Sequence, residues 1–221
     1  MISRLPRWVW GGGAILAVVG GMINAVGFLS FQRQGVTHLT GTTTLLGIAV
    51  AQGNAPQFLR LISIVLAFFT GATFSGFLIK DSTLQLGRRY GLALVAESAL
   101  LFLAIPFLRH GDPFGALLAS TACGLQNGMV STYSGAVVRT THVSGIVTDL
   151  GIFTGQLMNG VPVDIRRIKL GAILLLSFFI GAVLGAVAFA RYDYGTLYFP
   201  AAFTGVVGFA YGTYRHRQLK K

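Results

Sequence analysis

The sequence predicts an all-α polytopic membrane protein, with six transmembrane helices arranged as two inverted three-helix repeats. Each repeat is expected to carry a broken or re-entrant half-helix. The first observation is composition, since 53% of the 221 residues are hydrophobic and only 10% are charged, whereas soluble domains carry about a quarter charged residues. The other two observations are a set of long apolar runs and a polar phrase that occurs twice. Together they place the chain in a membrane.

Six apolar runs approach or exceed the length of about 20 residues that crosses a bilayer as a helix. They cover residues 9–29, 58–79, 90–108, 114–138, 170–190 and 197–214. The first run is longer than a signal-peptide core and has no clear cleavage site, so we expect it to remain as the first span. Cys123 is the single cysteine, which rules out an intramolecular disulfide. The net charge of +11 is expected to orient the protein and meet anionic lipid, with no nucleic-acid partner.

A polar phrase links the first two runs and returns in the second half of the chain. THLTGTTTLLG at residues 37–47 aligns without gaps with THVSGIVTDLG at residues 141–151, and six of the eleven positions are identical. The flanks repeat in the same order, with GMIN and GLQN before the phrases and FFTGATFSG and FFIGAVLGA after them. We therefore predict two membrane repeats, residues 1–110 and 111–221, within one integral membrane domain.

The positive charges favour phrases that enter the membrane and return on the same side. That arrangement places 13 of the 17 Lys and Arg residues on the side of the N-terminus, against 11 if each phrase crosses. Only Arg33, Arg60, Arg109 and Arg191 then lie outside. Three spans per repeat is an odd number, so the halves are inverted. The positive-inside rule then predicts a multi-pass protein of the plasma membrane, the bacterial inner membrane, with both termini cytoplasmic.

Each phrase has the composition expected of a helix that starts inside the membrane. Gly41 and Gly145 are the expected breaks, because glycine accepts unusual dihedrals, and Thr40 and Ser144 are the expected caps. A helix over residues 41–52 would be about 18 Å long, close to half a bilayer. Its N-terminus would present free N–H groups and the positive end of the helix dipole near the midplane.

Inversion is expected to bring the two half-helix N-termini together around a central solute site. The candidate solute-binding residues are Asn24, His38, Thr40, Gly41, Thr42, Gln126, Asn127, His142, Ser144 and Gly145. Histidine can donate, accept and carry a proton near neutral pH, which suits solute binding or proton relay. Gln126 has an alternative interpretation, in which it only satisfies a buried partner.

Two acidic residues are candidates for proton or ion coupling. Asp149 lies in the second phrase, where the first phrase has Leu45, and it is preferred. Glu97 is the other acid inside an apolar run. Pairing with a neighbour or with the backbone is an equally good interpretation of Glu97, since ionisable groups inside membranes need a partner or water.

These residues predict a transporter or channel for a small polar or anionic solute, with proton coupling as one form of it. The alternative is a scaffold or interaction protein whose polar residues only join helices. A membrane-embedded enzyme acting on lipid is less favoured, because HExxH, CxxC and GxSxG are all missing from the sequence. We predict no catalytic residue and no cofactor. A metal site of His38, His142 and Asp149 is also less favoured.

Small residues at helical spacing indicate close helix packing. Gly71 with Ser75, and Gly181 with Gly185, have this spacing. Such faces permit a homodimer without requiring one. The expected partners are thus the solute, the lipid bilayer and a second copy of the chain.

The order of these motifs resembles the YoaK-like family of bacterial membrane proteins, which is grouped as a domain of unknown function. The resemblance rests on the G-x-x-N helix, the T-H-x-T-G phrase, the phenylalanine- and glycine-rich span and the G-L-Q-N helix, and it covers nearly the whole chain. It implies a polytopic plasma-membrane protein of about six spans and leaves the activity open. The family commonly has asparagine where this chain has Thr42. If that asparagine contacts a solute, the shorter Thr42 side chain alters the specificity.

Overall fold

The computed structural model describes residues 6–30, 33, 35–79 and 89–218, and all regular structure within them is helical. The α-helices are α1 (Arg7–Leu29), α2 (Leu39–Ala51), α3 (Ala55–Ile79), α4 (Arg89–Arg109), α5 (Phe114–Ser134), α6 (Val143–Met158), α7 (Ile165–Tyr192) and α8 (Tyr198–Gln218). A 3₁₀ turn (Asp193–Leu197) joins the last two. The six long helices coincide with the six predicted runs, and α2 and α6 contain the two polar phrases.

Four stretches of described helix are long and apolar enough to cross a membrane. They are α1, α3, α4 and a continuous stretch from α7 through the 3₁₀ turn into α8. Helix α5 is as long as α4, but it is less apolar because it carries buried Ser120, Gln126 and Asn127. The prediction of an all-helical multi-pass membrane protein is therefore confirmed.

Each short helix ends in a turn that uses a left-handed glycine. Gly53 (φ 63°) follows α2, and Gly160 (φ 72°) follows α6, a conformation that other residues rarely adopt. Asp164 then begins α7 by accepting a hydrogen bond from the Arg166 backbone N–H at 3.0 Å. The two turns occupy corresponding places in the two halves of the sequence.

The long helices pack in pairs that exchange partners between the two halves. Helix α1 packs along α7, α3 packs along α5, and α4 packs along α8. The first helix of each half thus pairs with the second long helix of the other half. The short helices take corresponding positions, α2 on α3 and α6 on α7.

Glycines allow the backbones of these pairs to approach, and they do so at equivalent positions. A side chain at Gly21 would collide with the carbonyl oxygen of Phe178, and one at Gly124 would collide with that of Phe68. The other contacts repeat the same exchange, with Gly71 on Thr121 and Gly181 on Val18. The predicted small-residue packing is confirmed.

The register of the contacts gives the directions of paired helices. In α1 and α7, Val18 meets Gly181 and Met22 meets Gly185, so both numbers rise together and the helices run parallel. In α3 and α5, the Ser120 hydroxyl reaches the Ile64 carbonyl and Gly124 meets Phe68, so this pair is also parallel.

The remaining pairs are antiparallel. In α4 and α8, Gly91 lies against Gly208, whereas Ser98 donates to the Ala201 carbonyl at 2.7 Å. Helices α4 and α5 run in opposite directions, as do α1 and α5, where rings of Trp8 and Tyr133 lie 5.4 Å apart and Gln126 bonds to the Leu16 carbonyl. Helices α1, α4 and α7 therefore point one way, and α3, α5 and α8 point the other.

These directions place most of the described basic residues at one end of the bundle. This basic end holds the start of α1, α4 and α7, with Arg89, Arg139, Arg166, Arg167 and Lys169. Arg60, Arg109 and Arg191 lie toward the opposite end. Arg4, Lys80, Arg88, Lys220 and Lys221, which entered the predicted charge distribution, lie outside the described residues.

Candidate functional site: a polar belt and two cavities

The two polar phrases break the chain at the same place and with the same backbone. Helix α2 begins after His38 (φ −90°, ψ 62°), and α6 begins after His142 (φ −90°, ψ 59°). Neither helix has a side-chain cap. The two phrases are therefore equivalent in conformation as well as in sequence.

The break lies three residues before the expected position. Gly41 and Gly145 were expected to be the breaks, but both lie inside their helices, as do Thr40 and Ser144, the expected caps. The prediction of the caps and of the break positions is thus wrong. In each phrase, an asparagine fixes the threonine that directly precedes the histidine. The histidine is therefore the last residue outside the helix.

Asparagines on α1 and α5 hold these threonines. Asn24 Oδ1 accepts hydrogen bonds from Thr37 N at 3.2 Å and from Thr37 Oγ1 at 2.9 Å. Asn127 Oδ1 accepts from Thr141 Oγ1 at 2.9 Å and from Thr140 Oγ1 at 3.4 Å. Because Asn24 and Asn127 are repeat equivalents, this paired anchor gives a physical reason for the repeated G-x-x-N and T-H motifs.

Both anchored threonines lie beside the same part of α1. A methyl group added at Gly20 would lie 2.9 Å from the Thr141 side chain, one helical turn from Asn24, which holds Thr37. Gly20 and Asn24 precede the last residue of α1, Leu29, by nine and five residues. At 1.5 Å per residue, both breaks lie about 7 to 14 Å inside that end of the helix.

Most threonine hydroxyls of the phrases bond to their own helix. Thr42, Thr43 and Thr44 donate to the carbonyls four residues earlier, at 3.0, 2.9 and 3.1 Å. Thr148 in α6 donates to the Ser144 carbonyl at 2.9 Å. Such bonds satisfy a hydroxyl in an apolar environment, so these threonines need no solute to fulfil their hydrogen-bonding capacity.

The structure does not bring the two short helices together. Helices α2 and α6 make no contact with each other, and His38 and His142 are both exposed. The His38 ring lies over Gly41 and near Phe28, with ring centres 6.2 Å apart. Thr40, Ser144 and Gly145 are exposed too, and their contact with a solute stays a prediction. Among the described residues, no group of His, Cys, Asp or Glu could hold a metal ion.

The other candidates are buried in the bundle. Asn24, Thr42, Gln126 and Asn127 each expose less than a tenth of their surface. Gln126 Nε2 donates to the Leu16 carbonyl at 2.6 Å, so the interpretation that Gln126 satisfies a buried partner is confirmed for its N–H group. Its Oε1 has no hydrogen-bond partner within the described chain.

Glu97 is fully buried, and neither carboxylate oxygen has a hydrogen-bond partner among the described residues. Tyr90 faces Tyr133, with ring centres 5.5 Å apart, so the antiparallel register of α4 and α5 places Glu97 level with Gln126. Cys123, one helical turn before Gln126 on α5, is fully buried as well. An unpaired carboxyl group inside a membrane protein is costly and marks a candidate functional group.

Asp149 has a different environment from Glu97. It is exposed on α6 and lines a groove of about 250 Å³ between α6 and α7. Arg167 lines the same groove at the basic end, so a cation is available there. The two acidic candidates therefore lie in separate regions of the protein.

Two cavities lie at opposite ends of the bundle. The open cavity is at the basic end, between α1, α4, α5 and α8, and has a volume of about 280 Å³. The closed cavity is at the opposite end and has a volume of about 10 Å³, roughly the space for one water molecule. The closed cavity is lined by Ile23, Val26, Gly27, Ser30, Val36, Ile64, Leu108, Ala116, Ala119 and Leu197.

Five of the ten residues that line the closed cavity have repeat equivalents that line the open cavity. When the halves are aligned through GMIN and GLQN, one residue of each such pair lines the closed cavity and its equivalent in the other half lines the open cavity. The pairs, closed cavity first, are Val26 with Met129, Gly27 with Val130, Ser30 with Tyr133, Ala116 with Gly13, and Ala119 with Leu16. Sequence reasoning missed both cavities because their apolar linings form no motif, although the repeat alignment was sufficient to pair the positions.

The helices around the cavities differ in the same way. Helix α4 packs along α5 beside the closed cavity, whereas the equivalent pair, α1 and α8, makes only marginal contact beside the open cavity. The open cavity thus occupies the gap between α1 and α8. Equivalent helix pairs of the two repeats therefore pack closely in one case and loosely in the other.

Comparisons with known proteins identify the family of this chain. The family model described as "Protein of unknown function (DUF1275)" matches residues 12–210, which include both phrases. The UPF0700 transmembrane protein YoaK of Bacillus subtilis (strain 168) is 22% identical over 183 residues, covering 79% of this chain and 81% of the relative. No solved structure matches the chain. Since the family model spans nearly all of the chain, including both anchored phrases, the protein belongs to the DUF1275 family of proteins of unknown function.

Proposed function

We propose that the protein is a transporter that moves a small solute across the bacterial inner membrane by alternating access. The basic end faces the cytoplasm. The six long helices are spans in two inverted repeats, and α2 and α6 are re-entrant half-helices. The polar belt of Asn24, Thr37, Gln126, Asn127 and Thr141 lies between the two cavities.

The helix directions support inversion. Helices α1 and α3 run in opposite directions, so α1 ends and α3 begins at the same end of the bundle, with α2 between them. Two parallel repeats of four crossings each would make α4 and α8 run the same way. Their contacts are antiparallel instead, as three spans per repeat require.

The observation that carries the transport proposal is the open and closed pair of equivalent cavities. In an inverted repeat, exchanging the conformations of the two halves closes the open cavity and opens the other one. In the second state, each half takes the helix packing that the other half has in this structure. A scaffold protein has no need for this difference.

Cysteine labelling at two equivalent positions tests the proposal. In a Cys123→Ala background, Leu16→Cys reports on the open cavity and Ala119→Cys on the closed one. We expect a membrane-impermeant thiol reagent to label Leu16→Cys from the basic side of sealed vesicles and to leave Ala119→Cys protected. Ala93→Cys, buried away from the closed cavity, serves as a control for unfolding.

Closing the gap between α1 and α8 should then open the opposite cavity. The positions Ile15 and Phe203 both line the open cavity. In a protein that also carries Ala119→Cys, Ile15→Cys and Phe203→Cys are joined with a short bifunctional thiol reagent while Ala119→Cys is still buried and inaccessible to reagents. We expect the labelling rate of Ala119→Cys from the opposite side to rise at least tenfold, with Ala93→Cys still protected. An unchanged rate would show a static bundle and favour the scaffold alternative.

A further inference from the structure

The open cavity has a lining suited to an apolar body. Its volume of about 280 Å³ approaches that of a small-molecule pocket. Aromatic rings surround it, contributed by Trp8, Tyr90, Tyr133, Phe203 and Tyr211. No lysine or arginine is among the described residues that line it. Apolar and aromatic walls bind an apolar solute, and aromatic faces also attract a cation.

A buried acceptor pair lies one helical turn below the floor of this cavity. Leu94 on α4 and Val130 on α5 line the floor. Glu97 follows Leu94 on the same face of α4, and Gln126 precedes Val130 on α5. Three oxygens of the pair, Glu97 Oε1 and Oε2 and Gln126 Oε1, have no hydrogen-bond partner among the described residues.

No described positive charge offsets Glu97. On α5 the buried titratable side chain at this level is Cys123, one helical turn from Gln126, and Tyr133 lies nearer the cavity mouth. Helix α8 presents Thr204 and Gly205 at this level, with Tyr211 toward the mouth, while the facing parts of α1 and α3 carry no charged residue. Glu97 is therefore either protonated and neutral, or ionised with a cation from the cavity beside it.

We propose that the open cavity binds an organic cation with an apolar body, and that Glu97 exchanges its proton for that cation. In the empty protein the Glu97 carboxyl group holds one proton and is neutral. When the cation enters, this proton leaves through the cavity to water, and the carboxylate becomes the counter-ion. One positive charge enters as one leaves, so the buried site keeps its net charge.

This substrate class rests on the proposed transport function and revises the polar or anionic solute predicted from the sequence. That prediction relied on the helix N-termini of α2 and α6, which favour anions. Neither His38 nor His142, the residues directly before these helices, lines the open cavity. The ionisable group one helical turn below the cavity floor is instead the carboxyl group of Glu97.

Two probes of nearly the same shape and opposite charge test the inference. Tetraphenylphosphonium and tetraphenylborate are titrated into the purified full chain in detergent, and proton release is followed in weak buffer. We expect tetraphenylphosphonium to bind at least tenfold more tightly than tetraphenylborate and to release about one proton per cation. Glu97→Gln should lose the proton release and at least tenfold in cation affinity, whereas Glu97→Asp should retain proton release.

A cavity-filling variant separates binding in the cavity from binding elsewhere. Gly12 lines the open cavity and has free space around a side chain, as does its neighbour Gly11, which does not line it. Gly12→Phe should abolish cation binding, whereas Gly11→Phe should leave it within twofold. Thermal unfolding confirms that each variant is folded.

Three results would overturn the inference: tighter binding of tetraphenylborate, equal binding of both probes by the parent, or undiminished proton release in folded Glu97→Gln. Because these are equilibrium measurements, they do not depend on transport. A protein that binds and exchanges protons but fails the labelling test would keep the cation site and lose the transport function. A protein that passes the labelling test but binds no cation would keep transport and lose this substrate class.

Discussion

Asn24 holds Thr37 through two hydrogen bonds to one oxygen, from the threonine backbone N–H at 3.2 Å and from its hydroxyl at 2.9 Å. Asn127 makes the corresponding bond to Thr141 at 2.9 Å. Each asparagine lies within a long helix, so it fixes a non-helical segment well inside the bundle. A backbone interrupted at this depth needs such internal partners, because lipid offers none.

Removing either anchor should destabilise the fold. Asn24→Ala leaves the Thr37 N–H and hydroxyl without their acceptor, and the loss of a buried hydrogen-bond partner costs about 1–3 kcal/mol. Asn127→Ala should have an effect of similar size. The free energy of unfolding, measured in detergent with a chemical denaturant, checks both. Thr43→Ala is the matched control, because its exposed hydroxyl bonds only to its own helix at 2.9 Å; an equal loss there would contradict the anchoring role.

The turns after the two short helices should lie on opposite sides of the membrane. Asn54 follows α2 and Asn159 follows α6, and inverted repeats place them at opposite ends of the bundle. In a Cys123→Ala background we expect an impermeant thiol reagent to label Asn54→Cys from outside intact cells, and Asn159→Cys only after permeabilisation. Labelling of both from the same side would contradict inversion and favour parallel repeats.

The sequence was most informative where the polar residues repeat. The six long helices follow from the apolar run lengths, and the equivalence of Asn24 with Asn127 follows from the GMIN and GLQN segments that precede the two phrases. The predicted start of each short helix is wrong by a few residues, because local propensity favours a glycine break while the actual boundary is set by a side chain from another helix. Long-range hydrogen bonds of this kind leave no local signal.

The site was harder to predict than the fold. The functional interpretation relied on polar residues in the phrases, yet the hydroxyls of Thr43 and Thr44 donate hydrogen bonds to carbonyls of their own helix. The cavities depend on how closely α1 approaches α8, and a difference in packing between equivalent helix pairs cannot be read from one chain's composition. The sequence shows Glu97 as an acid inside an apolar run. Only the packing around it shows that its carboxyl group has no hydrogen-bond partner among the described residues.

Asp149 and Glu97 should differ in their effect on proton exchange. Asp149 is exposed in a groove that also contains Arg167, so its charge has a nearby cation and solvent. Glu97 is enclosed and has neither among the described residues. We therefore expect Asp149→Asn to retain proton release on tetraphenylphosphonium binding within twofold, while Glu97→Gln loses it. The reverse result would restore Asp149, which the sequence favoured, as the coupling residue.

Ser120 is a candidate latch for the closed cavity. Its hydroxyl lies 3.2 Å from the Val36 carbonyl and 3.0 Å from the Ile64 carbonyl, and both of those residues line the closed cavity. The repeat equivalent of Ser120 is Ala17, which has no hydroxyl to close the open cavity in the same way. The asymmetry in sequence thus matches the asymmetry in packing.

Ser120→Ala should therefore shift the protein toward the opposite state. Loss of a hydrogen bond of about 1 kcal/mol corresponds to a population change of about fivefold, so Ala119→Cys should be labelled about fivefold faster without any cross-link. Ser98→Ala is the matched control, because it removes a buried bond to the Ala201 carbonyl whose two residues do not line the closed cavity. If both variants accelerate labelling equally, general loosening explains the effect; if only Ser120→Ala does, that single hydroxyl biases which side of the membrane the cavity faces.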